Sequence, residues 1–196
     1  MLDYIIINSY TITEKNMPDN NLPASESASA LERYPKKYPL FANALDNWDE
    51  ITMDGWQWSK LLSEQPQFSD KCEWEKLDGG NWSDLLHSQP QFADKCEWEK
   101  LDGGNWSDLL YSQPQFADKC DWDKLDGSDW SELLSEQPQF SNRCDWRKLT
   151  GRDWSSLLSR QPQFADFCDW YKLNYPAWQQ LLEHQVQFTD IFKEYN

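Results

Sequence analysis

Histidine is nearly absent from this chain: only His87 and His184 occur, and they stand far apart. The five cysteines, Cys72, Cys96, Cys120, Cys144 and Cys168, are never clustered with each other or with histidine. A metal site needs such ligands within a few residues of one another, so no metal centre is expected. No nucleophile–base–acid group and no phosphate-cradling glycine loop is present, so neither a cofactor nor an enzymatic activity is expected. Long apolar runs are also missing. Without about 20 consecutive apolar residues there is no transmembrane helix. The N-terminus, MLDYIIINSYTITEK, lacks a basic n-region and does not read as a signal peptide, so a cytoplasmic protein is expected.

Basic residues are scarce as well. Eighteen Lys and Arg stand against 34 Asp and Glu, a net charge of -16. That balance disfavours direct contact with nucleic acid or an anionic membrane. It serves solubility or points to a basic protein or peptide as partner. Aromatic residues, in contrast, are plentiful: 13 Trp, 9 Phe and 8 Tyr in a chain whose mean hydropathy is -0.89. A disordered chain is poor in aromatics. Here they recur at fixed positions.

The recurrence is a 24-residue unit, clearest as WSDLLYSQPQFADKCDWDKLDGSD from Trp106 to Asp129. Five full copies begin at Trp58, Trp82, Trp106, Trp130 and Trp154, and a truncated one begins at Trp178. Four segments result: a flexible N-terminal arm over 1–30, a degenerate N-terminal cap repeat over 31–57, five repeats over 58–177, and a truncated C-terminal cap repeat over 178–196.

Within the unit, Trp106, Leu109 and Leu110 show the i, i+3, i+4 spacing of one helical face. The residue before the tryptophan is Asn81, Asn105, Asp129 or Asp153 in four copies, which predicts an N-cap there. Pro114 and its equivalents end that helix and start a second one, with Phe116 and Cys120 on one face. A break at Asp121 then lets Trp122 and Leu125 turn back to the core. Asp126-Gly127 and its equivalents are read as closing the unit, the glycine permitting positive φ. The cysteines are read as small buried apolar residues. Equivalent positions in stacked helices lie about 8–10 Å apart, and a disulfide needs Cα atoms within about 7 Å. The expected fold is therefore all-α, a solenoid of short-helix tandem repeats with degenerate terminal caps. Missing period-2 alternation and few β-branched residues argue against a β-solenoid.

The Gln-Pro-Gln-Phe element has two readings. Its glutamines either satisfy backbone groups where helices meet or form a polar ladder for an extended peptide. Variation between copies concentrates at four phases. These supply the candidate partner contacts: His87 and Tyr111; Glu64, Glu136 and Arg160; Glu75, Glu99, Asp123, Arg147 and Tyr171; and Arg152. The residues WSDLLHSQPQFADKCEWEKLDGGNW resemble a class of near-identical, tryptophan-bearing tandem repeats found in bacterial proteins. The wider resemblance is to α-solenoids, which implies a scaffold for protein–protein or protein–peptide binding. Two alternatives stand beside it. One is an acidic mimic of nucleic acid that inhibits a basic nucleic-acid-binding protein, provided Asp84, Asp108 and Glu132 form a row. The other is a structural spacer or self-associating repeat protein.

Overall fold

The computed structural model describes residues 52–195, and the chain divides into two units, Met1–Asp54 and Gly55–Asn196. Of the first unit only 52–54 are described, so the expected N-terminal arm and residues 31–51 of the expected cap repeat lie outside the described residues. The second unit is an all-α solenoid, with no strand among its described residues. Its α-helices are α1 (Gly55–Glu64), α2 (Gly79–Ser88), α3 (Gly103–Ser112), α4 (Gly127–Glu136), α5 (Gly151–Arg160), α6 (Tyr175–His184) and α7 (Thr189–Tyr195). From α1 to α6 each helix packs against the next in sequence. Between consecutive helices from α1 to α6 the chain makes two short 3-10 segments, such as Pro114–Lys119 and Trp122–Lys124 after α3.

The helix starts differ from the sequence reading. The N-caps are Asp78, Asp102, Asp126 and Thr150, three residues earlier than expected, with Asn174 at the same phase of the last copy. Asn81, Asn105, Asp129 and Asp153 are third helical residues instead. At α3 the Asp102 carboxylate accepts from Asn105 N at 2.9 Å, and Asn105 Oδ1 accepts from Asp102 N at 3.2 Å. This reciprocal box satisfies two orphan donors at once, which makes the earlier residue the better cap. The glycine after it is therefore the first residue of a helix, not the close of a unit. None of the described glycines adopts positive φ. Gly103 is demanded by space: a Cβ there would strike the Lys124 carbonyl and the Asp129 carboxylate of the next copy.

Each of α1 to α5 ends at a glutamine followed by proline. Gln113 still donates its backbone N–H to Leu109 O, at 2.8 Å, but Pro114 has no N–H with which to continue. The segment beyond it is 3-10 rather than α, with i→i+3 bonding. Phe116 and Cys120 therefore do not share an α-helical face. Cys120 sits beyond the segment in extended backbone, at φ -66° and ψ 129°. The expected break at Asp121 is present, and a second short segment begins at Trp122. The five cysteines are free thiols and only half-buried, where full burial was expected; Cys72, Cys120, Cys144 and Cys168 all lie in extended backbone just beyond the first 3-10 segment.

The core is a ladder. Trp106, Leu109, Leu110 and Leu125 are fully buried, as are their counterparts in the copies that begin at Trp82 and Trp130 or nearly so. Trp98 stacks on Trp106 with ring centroids 5.4 Å apart and planes 12° apart, and it tilts against Phe116 at 5.4 Å. The same Trp–Trp–Phe group recurs around Trp82, Trp130, Trp154 and Trp178. At the C-terminal end, α7 replaces the usual 3-10 continuation and lays Phe192 edge-on against Trp178 at 5.6 Å. Phenylalanine at the cysteine phase thus covers the last rung.

Lysine, serine and glutamine side chains stitch neighbouring copies together through backbone carbonyls, although Ser155 Oγ, at the serine phase of α5, meets no partner among the described residues. Lys124 Nζ donates to Glu99 O and Leu101 O at 2.8 and 2.6 Å. Ser107 Oγ donates forward to Asp129 O at 3.1 Å. Gln113 Nε2 donates back to His87 O at 2.7 Å, and Gln137 Nε2 to Tyr111 O at 2.6 Å. Because the acceptors are backbone atoms, His87 and Tyr111 receive the same bond although their side chains differ. Lys124→Met is expected to destabilise the solenoid by about 1–2 kcal/mol, since charged hydrogen bonds are lost and two carbonyls are stranded. Urea unfolding measures it against Lys119→Met, an exposed position expected to stay within about 0.5 kcal/mol. Equal effects at the two lysines would refute the stitch.

Candidate interaction groove

One outer face of the stack holds a groove of about 910 Å³ over α4, α5 and α6. Its position is set by helical phase. Residues at i, i+4 and i+7 or i+8 share a face, so the groove takes Ser128, Glu132 and Ser135 from α4, Arg152, Ser156, Ser159 and Arg160 from α5, and Gln180 and His184 from α6. The depression exists because small residues line it. The phase that carries Ser135 and Ser159 carries His87 in α2 and Tyr111, 51 % exposed, in α3.

Much of the charge around the groove is already engaged. Asp126 Oδ1 accepts from Ser128 N and Asp129 N, and Asp153 Oδ2 accepts from Thr150 N, as helix caps. Lys148 Nζ donates to Asp123 O and Leu125 O. Arg160 meets Glu136 at 3.1 Å in an exposed pair, worth little in water. The Arg152 guanidinium and the Glu132 carboxylate have no such commitment in the groove. His184 is exposed, and its Nδ1 lies 3.0 Å from Gln180 O.

The sequence-predicted contacts separate into two sets. Arg152 and Arg160 line the groove, and Glu136 borders it through its pair with Arg160. His87 and Tyr111 lie at the corresponding phase of α2 and α3, exposed but outside the groove. Glu64 closes α1 and stands 3.9 Å from Lys60. Glu75, Glu99, Asp123, Arg147 and Tyr171 sit elsewhere, in the second 3-10 segments, and all are exposed. Their phase is variable because only their backbone is used: the carbonyls of Glu75, Glu99, Asp123 and Arg147 accept the lysine of the following copy. Arg147 is turned onto Asp145 with two bonds of 2.8 and 2.9 Å, which hold that carboxyl down at about 2. Tyr171 packs edge-on against Tyr195.

Ser156, Gln180 and His184 also line the groove and are absent from the sequence-predicted set. Their signal was available in the helical phase they share with Glu132 or Arg160, but nothing in one sequence says which copies are hollow. The glutamine ladder resolves to its structural reading: Gln89, Gln113, Gln137, Gln161 and Gln185 each donate Nε2 to a carbonyl of the preceding helix, and Gln91, Gln115, Gln139 and Gln163 donate to the side-chain oxygen of the glutamine two residues before. The cysteine thiols are pushed up to about 12 by burial, with neighbouring carboxylates adding to it, so they are almost wholly protonated near neutrality. No described helix is long and apolar enough to cross a membrane. Comparison with protein-family models, with curated proteins and with solved structures finds no match to this chain.

Proposed function

We propose that this chain is a non-enzymatic repeat scaffold that binds an extended segment of another protein in the groove over α4 to α6. One observation carries the reading. The residues that stay constant between copies are consumed by caps, core and inter-copy stitches, whereas the groove is lined largely by phases that change. Nothing in the stitching requires Ser135, Ser159, Arg152 or Arg160 in particular, because it uses backbone carbonyls there. A hollow walled by varied polar side chains on a rigid stack suits recognition of a segment rather than chemistry on it.

The acidic-mimic reading is supported by a short row. Asp84, Asp108 and Glu132 are exposed at one phase of three consecutive helices, but Ser156 and Gln180 continue that phase without charge. Three carboxylates make a small imitation of a backbone that carries a charge at every phosphate.

Selection from a random peptide library on the full chain tests the groove. Peptides enriched on the wild type are expected to lose about tenfold in affinity on Ser135→Tyr, a change of about 1.4 kcal/mol. The variant is compatible with the fold, since Tyr111 holds the same place in α3. Failure to enrich any peptide, or equal binding by Ser135→Tyr, would remove the groove from consideration.

A further inference from the structure

We infer that the groove takes an extended acidic segment with two carboxylate side chains in i, i+4 spacing, one for Arg152 and one for Arg160; this rests on the peptide-binding reading above. Helix α5 crosses the middle of the groove, with an arginine near each end of its outer face. Both arginines are particular to this helix. Other copies hold Gly80, Gly104 and Ser128 at the first phase, and Glu64, Ser88, Ser112 and Glu136 at the second. Arg152 stands in the first turn of α5, where the helix dipole opposes a cation, so it does not help the helix.

The spacing selects the ligand. Eight residues at 1.5 Å per residue place the two Cα positions about 12 Å apart along the axis. An extended peptide rises about 3.3 Å per residue, so four steps cover about 13 Å, and i and i+4 project from the same face. Between the arginines lie Ser156 and Ser159, small enough to let a backbone approach. The hydroxyls of Ser135 and Ser159 donate to their own helices, to Ser131 O and Ser155 O at 2.7 Å each. Their remaining lone pairs can accept peptide N–H groups. Each guanidinium offers a planar fork matched to a carboxylate. Arg160 keeps donors to spare beside its single bond to Glu136. The Glu132 carboxylate on the α4 side repels acids, so the segment lies toward α6, beside Gln180 and His184.

This reverses the expectation drawn from net charge. The total of -16 acts at long range and is screened by salt within about 10 Å, whereas the arginines act at contact. An average over the chain does not describe α5.

Calorimetric titration of the full chain at low salt with capped Gly/Ser heptapeptides tests the inference. One carries two glutamates in i, i+4 spacing; the comparators carry two glutamates in i, i+3 spacing, two glutamines or two lysines in i, i+4 spacing. The i, i+4 glutamate peptide is expected to bind best. Arg152→Ser and Arg160→Ser should each weaken it about fivefold; both install a residue that the same phase holds elsewhere (Ser128 and Ser112). The doubly swapped variant R152E/R160E should prefer the lysine peptide. Glutamine or lysine peptides binding the wild type as well as the glutamate one would overturn the acidic assignment. So would indifference to either arginine while library-selected peptides still bind; in both cases the groove itself would stand. If no peptide of any kind binds, the groove reading falls and this inference falls with it.

Discussion

Replacing Trp106 by alanine is expected to destabilise the solenoid by about 3–5 kcal/mol, the range for emptying a buried tryptophan site. Trp106 is fully buried, and its indole stacks on Trp98 at 5.4 Å, so both cavity formation and a lost aromatic contact contribute. The Trp106 Nε1–H meets no protein acceptor among the described residues, so removing it strands no partner. Trp106→Phe keeps an aromatic ring against Trp98 and should lose clearly less. Unfolding of a repeat array departs from two-state behaviour. The loss is therefore best read from both the urea midpoint by circular dichroism and amide exchange, with protection falling in α3 and its neighbours first. A change under about 1 kcal/mol would mean that the rungs do not carry the stack.

The second large effect is expected at a glycine. Gly103→Val should cost about 3 kcal/mol, the upper part of the range for overpacking. A Cβ at Gly103 would meet the Lys124 carbonyl and the Asp129 carboxylate, and would lie 3.1 Å from Leu125 Cα. Most of these atoms are backbone, held by the Lys124 stitch and the next capping box, so they cannot swing aside. The intrinsic gain of replacing glycine in a helix is about 1 kcal/mol at most, too little to offset the clash. Tyr175 provides the control. It occupies the same first position of α6, is 67 % exposed, and has no further copy packed over it. Tyr175→Val should therefore stay within about 0.5 kcal/mol of the wild type. Equal losses at Gly103 and Tyr175 would show that glycine serves helix initiation rather than stacking.

Particular residues show how much was legible beforehand. The period, the helical class and the Trp-Leu-Leu face come from spacing, because burial on one side of a helix forces i, i+3, i+4 repetition. The break before Trp122 came from counting angles. The helix start was misplaced because Asp102 and Asn105 are both good caps, and their reciprocal bonding is a fact of geometry. Gly103 looked like a turn glycine, since a sequence does not show what another copy brings near its Cα. The role of Lys124 has no local signal, because its ammonium is fastened to two carbonyls of the previous copy.

Local chemistry, then, was settled by the sequence alone: an all-α repeat of 24 residues, its aromatic and leucine rungs, the proline that ends each of α1 to α5, and the phases free to vary. Stacking decided the rest. Only when one copy lies against the next do lysine, serine and glutamine find carbonyls, does glycine become obligatory, and do serines at 135 and 159 leave a hollow where His87 and Tyr111 stand in earlier helices. Those are relations between residues 22 to 26 positions apart, set by the distance between helices, and they become readable only when both helices are in place.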